Sequence, residues 1–217
     1  LPLPSKDPEP LDRVLLIWGG SSSVGSCAIQ LAVASGATVI TTCSPKNFDY
    51  VKKLGAAEAL DYRAKDVEDQ AVKWLDGKTV LGAYHAVGGD GAVQACARIV
   101  DRSKGKAIVV SVRGIPDDEN IPKSVRTRQS ELRSILRRGS TKICANDGFL
   151  VSASNIFMND VGPFIWKEFL PAALKSKQIV PAPKPQIVGE ELRSVQLGLD
   201  TQKKGVSAKK VVVSYIS

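Results

Sequence analysis

Two glycines and three serines break an apolar run near the start of this 217-residue chain: Val14-Leu15-Leu16-Ile17-Trp18-Gly19-Gly20-Ser21-Ser22-Ser23-Val24-Gly25. A turn of this composition leaves backbone N–H groups unpaired. Where it opens a helix, those groups and the helix dipole form a seat for a pyrophosphate. Glycine suits the turn because a side chain would hold the phosphate off. Gly20, Ser21, Ser22, Ser23, Val24 and Gly25 are therefore the first candidate ligand-binding residues. An ordinary strand–helix connection also fits, but strand, turn and helix fall in the order that dinucleotide binding requires. A P-loop would end in Gly-Lys-Ser/Thr, whereas Gly25 is followed by Ser26-Cys27. The Tyr-x-x-x-Lys pair of short-chain dehydrogenases is missing, because none of Tyr50, Tyr62, Tyr84 and Tyr215 is followed by lysine four residues on.

The next strand ends in Thr42-Cys43-Ser44, where an NAD site usually carries an acid for the ribose hydroxyls. A carboxylate there would repel a 2′-phosphate. In its place stand Ser44 and Asn47, able to donate hydrogen bonds, and Lys46, able to pair with an anion. Tyr62, at the end of the third strand, can flank the adenosine. This set favours NADP(H) over NAD(H). A solvated lysine and a half-buried rim tyrosine are the plainer readings of Lys46 and Tyr62. The only histidine, His85, falls inside a buried strand and reads as a packing residue, since a general base must reach substrate. Cys43 has no partnering base, so no nucleophile is assigned.

Alternating strands and helices must hold these residues. Strands are expected at 14–18, 37–43, 59–61, 81–87 and 106–112. Helices are expected at 24–35, from Ser44-Pro45 to Leu54, at 67–75 behind an Asp66 cap, and at 91–100. Val24, Ala28, Leu31 and Ser35 read as one face of the first helix. The strands are apolar without strict alternation, which indicates α/β architecture: a doubly wound parallel sheet covered on both faces. Its carboxyl-terminal strand ends nominate residues 19–25, 43–47, 87–89 and 111–114 as rims of one crevice. Beyond it the spacing predicts a helix near 123–138, a strand at 142–144 and an apolar stretch at 149–157. Further on come a helix over 160–176 kinked at Pro171, an extended segment around Pro181, Pro183 and Pro185, a helix over 189–200 and a strand over 210–216. Residues 1–12 read as a Pro-rich linker, and the absence of an initiator Met suggests a fragment.

A 43% apolar content supports a core, and no apolar run approaches the ~20 residues of a membrane span. No secretory signal precedes the first strand. Four scattered cysteines read as reduced thiols, which fits a cytoplasmic protein, and one histidine leaves almost no material for zinc. Thirty basic against 22 acidic residues give +8. That charge suits anionic ligands. The cluster Arg126, Arg128, Arg133, Arg137, Arg138 and Lys142 reads as a solvated helix face rather than an RNA site, because no aromatic residues are interleaved.

Several segments together resemble the cofactor-binding half of the medium-chain dehydrogenases/reductases, in particular the zinc-free quinone oxidoreductase and fungal enoyl reductase branch. They are Trp18–Gly25, Cys43-Ser-Pro-Lys-Asn-Phe-Asp49, Lys53-Leu-Gly-Ala56, Leu60-Asp-Tyr-Arg63, Val87-Gly88 and Lys203–Val211. The resemblance implies a Rossmann-type domain over 13–180 and a return segment of a GroES-like catalytic domain over 181–217. It places the pyrophosphate on the serine-rich turn, the 2′-phosphate among Ser44, Lys46 and Tyr62, and the nicotinamide against backbone near Val87, Gly88, Ser111 and Val112. It implies NADPH-dependent reduction of an activated C=C bond in an enone, enoyl thioester or quinone. The GroES-like barrel that builds most of the family's substrate pocket is not in this sequence, so no catalytic residue is assigned. A non-catalytic nucleotide- or RNA-binding relative is the alternative. The expected partner is a small-molecule substrate, without membrane or nucleic acid, and a homodimer through edge strands is the assembly to test.

Overall fold

The computed structural model describes residues 1–89, 91–112, 114–116, 119–131, 151–152 and 160–215. Among them, seven strands form one sheet. They are β1 (Arg13–Trp18), β2 (Thr38–Cys43), β3 (Glu58–Asp61), β4 (Thr79–His85), β5 (Ile108–Ser111), β6 (Arg126–Glu131) and β7 (Val151–Ser152). The order is β3-β2-β1-β4-β5-β6-β7 and every pairing is parallel.

Strand periodicity sorts the core onto the two faces. Val14, Leu16 and Trp18 of β1 project to one side and pack with helices α3 (Val67–Leu75) and α4 (Ala92–Asp101). Ile17 projects to the other and packs with α1 (Ser23–Ala34) and α2 (Phe48–Lys53). Burial on both faces is why these strands lack a polar side. Helix α1 ends at Ser35, and Gly36 follows with φ +82°, a backbone region that glycine enters without a Cβ penalty.

The buried face of α1 is not the one its spacing suggests. Gly25, Ser26, Ile29, Gln30, Ala32 and Ala34 are buried, whereas Val24 is 43% exposed. Small residues let the helix approach the sheet closely, so its contact face is not its most apolar one. Asp66 precedes α3, but its carboxylate accepts from Gln70 Nε2 at 2.9 Å and makes no side-chain cap.

The helix expected over 123–138 is also corrected. Residues 126–131 form β6, with Ile108–Ser111 of β5 paired to Arg126–Gln129. Arg126 and Arg128 therefore lie on a strand, and the rest of that basic cluster lies outside the described residues, as does the strand expected at 142–144. Within the apolar stretch 149–157, only Val151–Ser152 is described, as β7.

The expected kinked helix is α5 (Val161–Pro163), a π-helical segment (Phe164–Phe169) and α6 (Leu170–Lys175). In an α-helix the Pro171 ring would crowd the Lys167 carbonyl, and wider π turns precede it. Phe169, Ala173 and Ile179 pack on Ala34 of α1. The C-terminal helix begins later than expected: β8 (Lys184–Glu190) occupies its first positions and α7 runs over Val195–Lys204. With β9 (Lys209–Ser214) these form a separate two-stranded parallel sheet crossed by α7. No described helix is long and apolar enough to cross a membrane.

Candidate functional site

The sheet changes direction at β1. Trp18 pairs with Thr42 of β2 on one side and with His85 of β4 on the other. The following chain must leave the sheet at this divide, where an open α/β sheet has its crevice. A cleft of about 1110 Å³ lies there. Its walls come from the ends of β1 and β2, the segment after β3, the turn after β4, and the 206–208 loop between α7 and β9.

The serine-rich turn has a definite internal structure. Gly19 and Gly20 donate their N–H groups to the Thr42 carbonyl at 3.2 and 3.0 Å. Ser22 is the N-cap of α1: its Oγ donates to the Gly19 carbonyl at 2.8 Å and accepts the Gly25 N–H at 3.0 Å. One amide of the expected anion seat is thus taken by the turn's own side chain. The N–H groups of Ser21, Ser23 and Val24 have no partner among the described residues. The first turn of a helix offers such groups no internal acceptor. Gly25 is required by close approach, since a Cβ there would lie 2.3 Å from the Gly19 carbonyl oxygen.

Eight of the residues nominated from sequence line the cleft: Ser21, Ser22, Ser44, Lys46, Asn47, Tyr62, Val87 and Gly88. Six do not: Gly20, Ser23, Val24, Gly25, Ser111 and Val112. Gly20 and Gly25 shape the turn from within. Ser111 is fully buried beside His85, its Oγ 2.8 Å from His85 Nδ1. The Val112 N–H donates to the His85 carbonyl at 3.1 Å. His85 is itself buried in β4, which explains why it packs rather than opens to the cleft.

At the β2 end of the cleft, Ser44 sits at a helix N-cap without making a side-chain cap, so its hydroxyl is not held by the backbone there. Lys46 follows, exposed on the cleft wall. Tyr62 is 45% exposed, with the Arg63 guanidinium 5.3 Å from its ring centre. Arg63 also pairs with Asp61 at 3.5 Å, and Lys65 lines the same wall. On the α3–α4 side, Arg98 makes a two-point pair with Glu68 at 2.8 and 2.5 Å, which offsets that acid. Arg63 and Lys65 follow Tyr62 in sequence, so the charge after the third strand is readable there. The 206–208 loop falls within the Lys203–Val211 segment, for which the resemblance implies no cofactor contact.

Asn47 is buried, and its Nδ2 donates to Ser207 Oγ at 3.0 Å. Cys43, at the end of β2, is buried, and its thiol is pushed up to about 11 by desolvation first and the nearby Asp61 second. It is a neutral packing group at ordinary pH. Among the described residues, no group of three His, Cys, Asp or Glu side chains could hold a metal ion. The donor set of the described residues does not fit a zinc site.

A family model described as zinc-binding dehydrogenase matches residues 23–147, more than half of the chain. The chain belongs to the zinc-binding dehydrogenase family. Within that family it represents the cofactor-binding portion of the medium-chain dehydrogenases/reductases, a fold that binds nicotinamide cofactors. Dehydrogenase pigH of Monascus ruber is 42% identical over 214 residues, which cover 94% of this chain and 56% of that protein. Trans-enoyl reductase himH of Aspergillus japonicus is 36% identical over 217 residues, covering 98% and 55%. This family member therefore spans about half the length of the curated relatives it matches. The apo JamJ enoyl reductase superimposes with a TM-score of 0.67 at 17% identity, over 97% of this chain and 56% of that one. The quinone oxidoreductase of Coxiella burnetii does so with 0.58 at 23% identity, over 96% and 54%. Both likenesses show the fold.

Proposed function

We propose that this dehydrogenase-family chain is the NADP(H)-binding part of an oxidoreductase that reduces an activated C=C bond in an enone, enoyl thioester or quinone. The observation that carries the cofactor reading is the end of β2. Ser44 and Lys46 stand on the cleft wall where an acid would select NAD(H), with Tyr62, Arg63 and Lys65 following the adjacent strand β3. Relatives named trans-enoyl reductase and structural neighbours named enoyl reductase and quinone oxidoreductase support the reaction class.

NADPH, when bound, supplies a hydride. The chain's own residues bind and orient it. The Ser21 amide, on the cleft wall at the positive end of α1, would offer a hydrogen bond to the diphosphate. Lys46 and Ser44 hold the 2′-phosphate, and Tyr62 flanks the adenosine. Trp18, Val87 and Gly88 line the cleft at the ends of β1 and β4 and would border the nicotinamide.

Fluorescence titration of the chain with NADPH and with NADH tests the assignment. NADPH is expected to bind more tightly. Equal affinities overturn the NADP(H) reading.

A further inference from the structure

We propose that Tyr50 is a positioning residue for the diphosphate seat: through Ser26 it holds the Gly20–Ser21 peptide with the Ser21 N–H turned to the cleft. The proposal rests on the dinucleotide reading above and adds to it a side chain that does not line the cleft. Tyr50 belongs to α2 and is half-buried. Ser26 belongs to α1 and is fully buried. Their hydroxyl oxygens lie 2.8 Å apart.

Donor and acceptor roles fix the direction of this relay. A carbonyl can only accept, so the Ser26 hydroxyl donates to the Gly20 carbonyl at 3.2 Å. That uses the single proton of Ser26, and its oxygen is left to accept from the Tyr50 hydroxyl. Burial pushes Tyr50 above the usual phenol range, so it keeps the proton it donates. A hydroxyl that accepts one hydrogen bond is a stronger donor in the next, so Tyr50 reinforces the hold on Gly20. The Gly20–Ser21 bond is trans, since Ala182–Pro183 is the one cis peptide among the described residues. In a planar trans peptide the C=O and the N–H point in opposite directions. A carbonyl drawn toward Ser26 therefore sends the Ser21 N–H the other way, and Ser21 lines the cleft. That N–H has no partner among the described residues. The peptide before it is pinned as well, because the Gly20 N–H donates to the Thr42 carbonyl at 3.0 Å. Tyr50 also lies on the helix that continues directly from the turn carrying Lys46. The relay thus ties the segment assigned to the 2′-phosphate to the turn assigned to the diphosphate.

The test titrates the full chain with NADPH and NADH, as wild type and as Tyr50→Phe, Ser26→Ala and the double variant. The two cofactors share the diphosphate. Tyr50→Phe keeps the ring and removes one hydrogen bond, so it is expected to weaken both by the same factor, about three- to tenfold, and to leave their affinity ratio as in wild type. Adding Tyr50→Phe to Ser26→Ala is expected to cost little further affinity, because the relay is already cut. Nitrogen–proton correlation spectra of the unliganded chain supply a readout that packing alone does not move. Tyr50→Phe is expected to shift the Ser21 amide more than the Lys46 amide, although Lys46 is nearer in sequence. Circular dichroism melts keep a folding defect apart from a binding defect in each variant. A Tyr50→Phe variant with wild-type affinity for both cofactors overturns the proposal and leaves the dinucleotide reading standing. A loss confined to NADPH also overturns it, since that places the tyrosine at the 2′-phosphate. Additive losses in the double variant, or an unmoved Ser21 amide, overturn the relay through Ser26. A wild type that binds neither cofactor overturns the dinucleotide reading and the proposal with it.

Discussion

Gln30 and Val180, 150 residues apart, exchange two hydrogen bonds: Gln30 Nε2 donates to the Val180 carbonyl at 3.1 Å, and Gln30 Oε1 accepts the Val180 N–H at 2.8 Å. A buried side-chain amide here does the work of a strand partner. It fastens α1, the helix that carries the serine-rich turn, to the segment leading into β8.

Gln30→Ala leaves both backbone groups of Val180 without this partner. The expected loss is about 0.5–1.5 kcal/mol of unfolding free energy, the net worth of an ordinary hydrogen bond, because Val180 is itself open to water. Urea denaturation followed by circular dichroism measures it. An unchanged midpoint would show that water replaces the amide at no cost.

Lys46→Ala removes the charge proposed to face the 2′-phosphate. NADPH affinity is expected to fall by roughly 1–3 kcal/mol and NADH affinity to stay near wild type. Added salt is expected to narrow the difference between wild type and variant, because the lysine is exposed and its attraction is screened. Fluorescence titration at two ionic strengths reads both effects.

Gly25→Ala places a methyl 2.3 Å from the Gly19 carbonyl oxygen, a backbone atom that cannot swing aside. Overpacking of this kind costs about 1–3 kcal/mol, so a lower melting temperature is expected. Cofactor binding is expected to weaken as well, since the displaced turn carries the Ser21 amide on the cleft wall. A variant with wild-type melting and affinity would mean that the turn is more pliant than its packing indicates.

The described thiols are expected to differ in reactivity. Cys27 is exposed, while Cys43 and Cys96 are buried, and desolvation is the leading cause raising both of their pKa values. Alkylation at pH 8 with peptide mapping is expected to label Cys27 and spare the other two until the chain unfolds. The raised value at Cys43 also carries a sign for stability. The unfolded thiol ionises near 9.0 and the folded one at about 11, so its contribution is complete below pH 9 and is lost as pH rises toward 11. Cys43→Ala is expected to flatten the stability profile in that window.

The strand–helix alternation up to Ser111 was legible because two-sided burial writes apolar runs and helix ends write glycine. The strand end at Thr42-Cys43-Ser44 was legible because its chemistry is local. Other features were not. Residues 126–131 suit a helix by composition, yet they pair with β5, because strand preference depends on the neighbour across the ladder. Helix α1 buries a small-residue face because close approach to the sheet outweighs the apolarity of Val24.

The linear order of residues determined the parallel sheet, the anion-seeking turn and the missing acid after β2, since each follows from periodicity or from chemistry within a few positions. Only the folded chain decided that Ser22 caps its own turn, that Ser111 turns inward to His85, and that Asn47 meets Ser207. The last two join different elements of the fold, and the first sets which of several neighbouring atoms a hydroxyl reaches. Distances of that kind are fixed when the elements pack, and no local pattern encodes them.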